Sequence, residues 1–313
     1  MTRPAIRPVV IIGAAFGDVV LHLDRLPRSG EDISARETAR QVGGCAFNVA
    51  RALARLEINP IAAIPVGNGE WGAAVEREMR EEGIAIRLRN TDYDNGWCLA
   101  MVEANKERTF ITLEGCEQHW SAASLNTLPL ADNPLIYVTG YELMSPPLYQ
   151  WVTELACQHS LFIDFGPRVS DMTRQQVETL LAKHPLLTLN RDELAGLSQL
   201  LELTSASPLE AAAELSERYR LRLICRLDAQ GARVFEPGQE VQEVAAYNVK
   251  VEDAIAAGDS HCAGVIAGLA SHMSLGEATL LGNQVAAIVV SRPGANGAPR
   301  REELDLFQQQ YAR

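Results

Sequence analysis

Short apolar runs alternate along the chain with longer stretches whose apolar positions recur at helical spacing. Val9–Ile12, Ile61–Val66, Leu135–Thr139, Leu161–Asp164, Leu186–Leu189, Leu223–Leu227 and Arg233–Phe235 are the short runs. Continuous rather than alternating apolar character marks strands buried on both faces. Between them the 3.6-residue period predicts helices over Ala46–Leu56, Trp71–Glu82, Pro147–Gln158, Arg174–Ala182, Arg191–Leu200, Pro208–Arg220, Ser260–Ser271 and Leu275–Arg292. The last two are rich in small residues, as closely packed helices require. Such alternation predicts a three-layer α/β/α domain with a mostly parallel central sheet.

Two segments break that rhythm. Ile33–Val42 and Gly96–Leu113 alternate polar and apolar residues, with turn chemistry at Ala104-Asn105-Lys106. They predict a small antiparallel sheet, about 33–42 and 96–113, inserted within a single domain over 1–313. It could serve as a lid over a pocket, as a dimer contact, or as both.

Composition narrows the function classes. With 313 residues, 47% of them hydrophobic and 22% charged, the chain can bury a sizeable core in one large domain. Its net charge of −12 disfavours a phosphate-backbone footprint, so no nucleic-acid partner is expected. An anionic substrate would need a local positive device. No apolar run approaches the roughly 20 residues of a membrane span. Met1-Thr2-Arg3-Pro4 running into Val9–Ile12 is too short for a signal peptide. The six cysteines (45, 98, 116, 157, 225, 262) form no CxxC pair, which argues against disulfides and zinc and for reduced thiols in the cytoplasm. The six histidines show no metal spacing, and only His261 stands near a candidate site. Gly13-Ala14-Ala15-Phe16-Gly17 lacks the dinucleotide three-glycine pattern, and a Walker motif is absent.

The stretch Asp253-Ala254-Ile255-Ala256-Ala257-Gly258-Asp259-Ser260 carries the most chemistry. A small-residue turn opens a helix there, and first-turn N–H groups with the helix dipole form an anion hole for a phosphoryl group. Asp259 beside that hole could take a proton from an attacking alcohol, or could simply cap the helix.

That stretch resembles the D-T-x-[GA]-A-G-D signature of ribokinase (PfkB) family kinases. Gly43-Gly44-Cys45-Ala46-Phe47-Asn48-Val49-Ala50 resembles the family's N-terminal G-G-x-x-x-N-x-A, Asn190-Arg191-Asp192-Glu193 its N-x-x-E element, and Gly13–Asp18 its strand-end Asp. The resemblance spans essentially the whole chain. It implies an ATP-dependent kinase acting on a primary hydroxyl of a small-molecule sugar or nucleoside. Asp259 would be the base, with anion-hole amides from Ala256, Ala257 and Gly258. Asp18, Gly44 and Asn48 would hold substrate hydroxyls, and Arg168 could touch substrate or phosphate. Asn190 and Glu193 would organise the triphosphate and its Mg²⁺, partly through water. Arg226, Asp228 and Gly231 match the nucleotide-binding turn, and Asn283 the helix that meets adenine. A monovalent cation such as K⁺, bound by many members, would sit at Asp253, Ile255, Val289, Arg292 and Gly294. The resemblance also makes a homodimer through the lids plausible.

Several residues depart from the family pattern. Ala254 replaces the usual Thr, Ala256 a frequent Gly and Asp228 a frequent Gly, while Gly67–Gly72 lacks the Asp of G-x-D-x-x-G. Met144 stands where ribose-specific members carry Glu, which argues against ribose. These departures keep a non-catalytic ligand-binding relative open as an alternative, against which the retained Asp259, Asn190 and Glu193 stand. Trp97 in the small sheet is expected to pack or to stack on a ring.

Overall fold

The computed structural model describes residues 5–105, 107–130, 133–155, 159–205, 207–294 and 296–311. Met1–Pro4, Lys106 of the expected turn, Cys157 and the C-terminal end of the helix expected over Pro147–Gln158 lie outside them. The strands used below are β1 (Val9–Ile12), β2 (Phe16–His22), β3 (Arg36–Gly43), β4 (Ile61–Ala63), β5 (Trp97–Val102), β6 (Arg108–Leu113), β7 (Leu135–Thr139), β8 (Ser160–Asp164), β9 (Leu186–Leu189), β10 (Leu223–Arg226), β11 (Ala232–Phe235) and β12 (Gln242–Val244). The helices are α1 (Cys45–Arg55), α2 (Glu70–Glu81), α3 (Pro146–Glu154), α4 (Arg174–Leu181), α5 (Arg191–Leu200), α6 (Pro208–Tyr219), α7 (Ala257–Ala270), α8 (Leu275–Val290) and α9 (Arg301–Tyr311).

Eight strands form the main sheet in the order β12-β11-β10-β9-β8-β7-β1-β4. Pairing is parallel from β4 through β10, and β11 and β12 add antiparallel at the edge. Successive side chains of a strand point to opposite faces, so β1 feeds two cores. Val9 and Ile11 join α1, α2, α7, α8 and Leu304 of α9 on one face. Val10 and Ile12 join α3, α4, α5 and α6 on the other. Each such side chain fully buried contributes roughly 1.5–3 kcal/mol. Between α7 and α8 the helices nearly touch: a Cβ at Gly264 would stand 2.7 Å from the Gly282 Cα.

The second sheet has four strands in the order β3-β2-β5-β6. Its two antiparallel hairpins meet through a parallel β2–β5 pairing, in which Asp18 lies beside Cys98 and, on the other side, Gln41. Both expected segments are present, at Arg36–Gly43 and within Trp97–Leu113, and β2 joins them. The first strand was expected to end at Ile12, with Gly13–Asp18 carrying a strand-end Asp; Asp18 lies instead inside a second strand, Phe16–His22. Ile61–Val66 breaks at Ile64: its first part joins the main sheet, while Pro65–Val66 pairs with Leu88–Arg89. Strand β12 and helix α9 were not expected; β12 is three residues long, and α9 buries only Leu304. Among the described residues, no helix is long and apolar enough to cross a membrane.

The carboxyl ends of β1, β7, β8, β9 and β10 all open on one edge of the sheet. Open α/β sheets bind ligands there, because loops diverge and helix N-termini converge.

Candidate active site

A cavity of about 820 Å³ runs along that edge. Its lining includes Cys45, Tyr141, Asp164, Asn190, Glu193, Arg226, Tyr247, Asp259, Asn283, Ala287 and Val290.

Asp259 lies in the first turn of α7, which starts at Ala257 rather than at the expected Ser260. The reason is Ala256, the N-cap residue, whose left-handed backbone (φ 59°, ψ 14°) reverses the chain without any side-chain cap. Asp259 therefore does not cap the helix. Its Oδ2 instead accepts a 2.8 Å hydrogen bond from Asn48 Nδ2 of α1. Burial first, and then the charge of Asp164, push this carboxyl up to about 6, against the pull of Asn48. Of the three expected anion-hole amides, one is engaged: Ala257 N–H donates to the Ala254 carbonyl at 3.2 Å, because the Ala256 reversal closes a turn over these residues. The N–H groups of Ala256, Gly258 and Asp259 have no protein acceptor among the described residues.

Arg226 brings a guanidinium to the cavity wall between two carboxylates. Its guanidinium donates to Asp164 Oδ2 at 3.3 Å and to Glu193 Oε2 at 3.0 Å. The side chain reaches the mouth of α7, where a Cβ on Gly258 would stand 2.8 Å from its Nη1. Burial opposes that charge, but Asp164, Cys262 and Glu193 outweigh it and raise the guanidinium's affinity for its proton. Glu193 is raised by burial and then by Asp164, with Arg226 pulling the other way. Asn190 and Glu193 form a reciprocal capping box on α5: Asn190 N–H donates to Glu193 Oε2 and Glu193 N–H to Asn190 Oδ1, both at 2.8 Å.

Beyond Asp259 lie Asn48, Gly44 and Asp18. Gly44 precedes α1 with φ 102°, and a Cβ there would stand 2.7 Å from the Ala14 carbonyl, so only glycine fits. Asp18 Oδ2 borders Gly43, and burial pushes the carboxyl up to about 6 although Arg51 pulls it down. Arg168 does not line the cavity. It donates to Asp171 at 2.9 Å and lies over the Tyr141 ring at 5.1 Å, half-exposed at the rim. Trp97 stacks on Trp71 with ring centroids 6.4 Å apart.

At the far end, Asn283 donates to the Val244 and Ala245 carbonyls. Asp228 takes a left-handed φ of 54°, a conformation that favours glycine, and Gly231 follows at φ 79°. His261 is buried beside Asn283, and burial holds it neutral, its pKa down to about 3. Asp253 accepts N–H bonds from Ile255 at 3.0 Å and Gly294 at 3.2 Å, which gathers these loops beside Val289 and Arg292 at the end of α8. The Arg292 side chain points elsewhere, to Gly297 and Glu303. Sequence reasoning passed over Cys45, Tyr141 and Glu142, which carry no motif signal. Cys45 is held as a thiol by burial and by Asp259. Glu142 accepts from Ala14 N–H at 3.0 Å, and burial pushes it up to about 7.

Fold and site together define an α/β kinase. Residues 7–301 match the model of the pfkB family carbohydrate kinases, and the chain belongs to that family. Over 301 residues it is 41% identical to the uncharacterized sugar kinase YegV of Escherichia coli strain K12, covering 95% of this chain and 93% of that protein. The crystal structure of a Thermotoga maritima ribokinase superposes with a TM-score of 0.84 at 22% identity, over 97% of this chain and 99% of that one. That of Arabidopsis thaliana ribokinase complexed with ribose and ATP gives 0.83 at 20%, over 96% and 98%. These likenesses establish the ribokinase fold expected from the sequence.

Proposed function

We propose that the protein transfers the terminal phosphoryl group of ATP to a primary hydroxyl of a sugar or sugar-like small molecule, with Asp259 as base. The observation that carries this reading is the Asp259 carboxylate, lining the cavity at the start of α7 and held by Asn48 rather than spent on capping. With Oδ2 held by Asn48, the carboxylate accepts the proton of the incoming hydroxyl. That oxygen attacks the γ-phosphorus, its proton passes to Asp259, and the bond to the β–γ bridging oxygen breaks to release ADP. The amides of Ala256, Gly258 and Asp259 face the migrating group, and Arg226 beneath Gly258 neutralises its charge.

Asp18, Gly44 and Asn48 hold the acceptor's hydroxyls, while Asn190, Asp228, Gly231 and Asn283 line the nucleotide's path to the adenine end. Magnesium suits this site as an ion carried in on the phosphates. Among the described residues no three His, Cys, Asp or Glu side chains form a metal cluster, whereas the oxygen donors Asp164 and Glu193 line the cavity and would hold a hydrated ion through water. When bound, it screens the triphosphate's charge. The carbonyls gathered by Asp253 suit a monovalent cation, so turnover should depend on K⁺. The four-stranded sheet acts as a lid that excludes water, and its exposed Phe110, Ile111 and Leu113 support pairing of two copies.

Coupled ADP detection over a panel of sugars and nucleosides tests the reading and names the acceptor. Asp259→Asn should retain the fold and ATP binding and lose roughly 10²–10⁴-fold in kcat. Near-normal turnover by that variant would refute the base assignment.

A further inference from the structure

A second guanidinium, which the scheme above does not use, lies behind Asn48. Arg51 sits one turn further along α1, is 2% exposed, and stands 4.9 Å over the Phe47 ring. Charged side chains are almost never buried so completely without a partner that compensates for lost water. Arg51 Nη2 donates to Asn48 Oδ1 at 2.8 Å, and Asn48 Nδ2 donates to Asp259 Oδ2 at the same distance.

The chemistry of this chain has only one direction. A carboxamide has two ends of similar shape, and its partners decide which end points where. A guanidinium has donors and no acceptor, so the Asn48 oxygen must face Arg51 and its NH₂ must face Asp259. Reversal would set the amide oxygen against a carboxylate oxygen, two acceptors that tolerate each other only once Asp259 is protonated. We propose that Arg51 is a positioning residue: it fixes the Asn48 carboxamide in the orientation that donates to Asp259, and so keeps the base ionised and aimed at the acceptor. This rests on the reading of Asp259 as base.

The other charged and titratable groups around the pair do not replace this route. Cys45 on α1, Asp164 on β8 and Arg226 on β10 act on Asp259 directly, as do Tyr137 and Cys262 in the wall behind it. None of them touches the Asn48 oxygen. Around Arg51 stand Arg55, Glu82 and Glu78, the charges of Asp259 and Asp18 also reach it, and its pKa, lowered by burial to about 10, leaves it charged at neutral pH.

The test is the pH profile of kcat/KM with ATP and the acceptor found in the panel. Arg51→Met should move the acid limb upward by about one unit, so that turnover at pH 6 falls about fivefold beyond any loss at pH 8. The KM for ATP should not change. Arg51→Lys, whose ammonium also only donates, should leave the limb in place whatever its turnover. A merely structural role lowers stability or activity at every pH and leaves the limb where it was; that outcome overturns the proposal. Because Arg51→Met empties a buried charged site and can fail to fold, the unsubstituted protein provides a second measurement. With ¹⁵N-labelled asparagine, the Asn48 NH₂ signals, assigned by their loss in Asn48→Ser, should shift with the titration of Asp259 and stop shifting in Asp259→Asn. Signals indifferent to that titration overturn the proposal. A panel in which no acceptor is phosphorylated counts instead against the kinase reading, and the labelled spectrum still decides the Arg51 chain.

Discussion

Ala256 shows what the mouth of α7 costs. A left-handed Ala is strained by roughly 1–2 kcal/mol, because its Cβ crowds the following carbonyl, and it occupies that region here at φ 59°. Ala256→Gly removes the strain, while added unfolded-state entropy takes back roughly 0.5–1 kcal/mol. The variant should therefore unfold at a higher urea concentration, by a net gain of up to about 1 kcal/mol. Three residues on, Asp259, as the proposed base, should set the pH response. A base works only when ionised, and a carboxyl pushed up to about 6 loses its charge as pH falls through that value. kcat/KM should hold from pH 8 to 7, bend near 6, and fall about tenfold per unit below it. A profile flat to pH 5 would show that the limiting proton acceptor is another group.

Arg226, at the end of a strand, ties three elements together: β10 supplies it, β8 supplies Asp164, and the capping box of α5 supplies Glu193. Arg226→Met leaves both carboxylates uncompensated, which costs several kcal/mol of stability, and removes the cation beneath Gly258. Turnover should fall roughly 10²–10³-fold, with Arg226→Lys recovering part of it; full turnover in the Met variant would exclude contact with the phosphates. The elements legible in sequence were those with an uninterrupted period. Val9–Ile12, Leu135–Thr139 and Leu186–Leu189 announce themselves as continuous apolar runs, and Asn190 to Glu193 as a capping box before a helix. Arg226 was legible only as part of a turn. Its guanidinium matters because a strand end aims it at Gly258, a relation between residues far apart in the chain. The start of α7 was misplaced by three residues for a local reason: nothing in Ala-Ile-Ala-Ala-Gly shows which Ala turns left-handed. Arg168 could be read as a substrate contact or as half of a local Asp–Arg pair, and the structure pairs it with Asp171.

Across the whole molecule, the site's carboxyls bind protons more tightly in the folded chain than in the unfolded one. Asp18 and Asp259 are raised to about 6 and Glu142 to about 7, each chiefly by burial. A group with a raised folded pKa gives stability that is full below its unfolded pKa and is lost as pH rises through the folded one. A net charge of −12 acts in the same direction, since acidification reduces self-repulsion. Exposed carboxylates such as Glu31, Glu76 and Glu178, lowered by hydrogen bonds from arginines, act oppositely, but only once pH falls below their unfolded value of 4.5. His261, held neutral by burial with its pKa down to about 3, takes back part of that gain as the unfolded imidazole protonates below 6.5. With three carboxyls against one imidazole, the free enzyme should have a higher urea midpoint at pH 5.5 than at pH 8, while activity moves in the reverse direction over the same interval. The opposition has one shared source in Asp259, whose charge the proposed reaction requires and the fold resists. Asp259→Asn separates the two: at pH 8 it should be more stable than the parent and almost inactive, and its stability should vary less between pH 5.5 and 8. A variant no more stable than the parent at pH 8 would mean that the folded chain accommodates this charge without penalty.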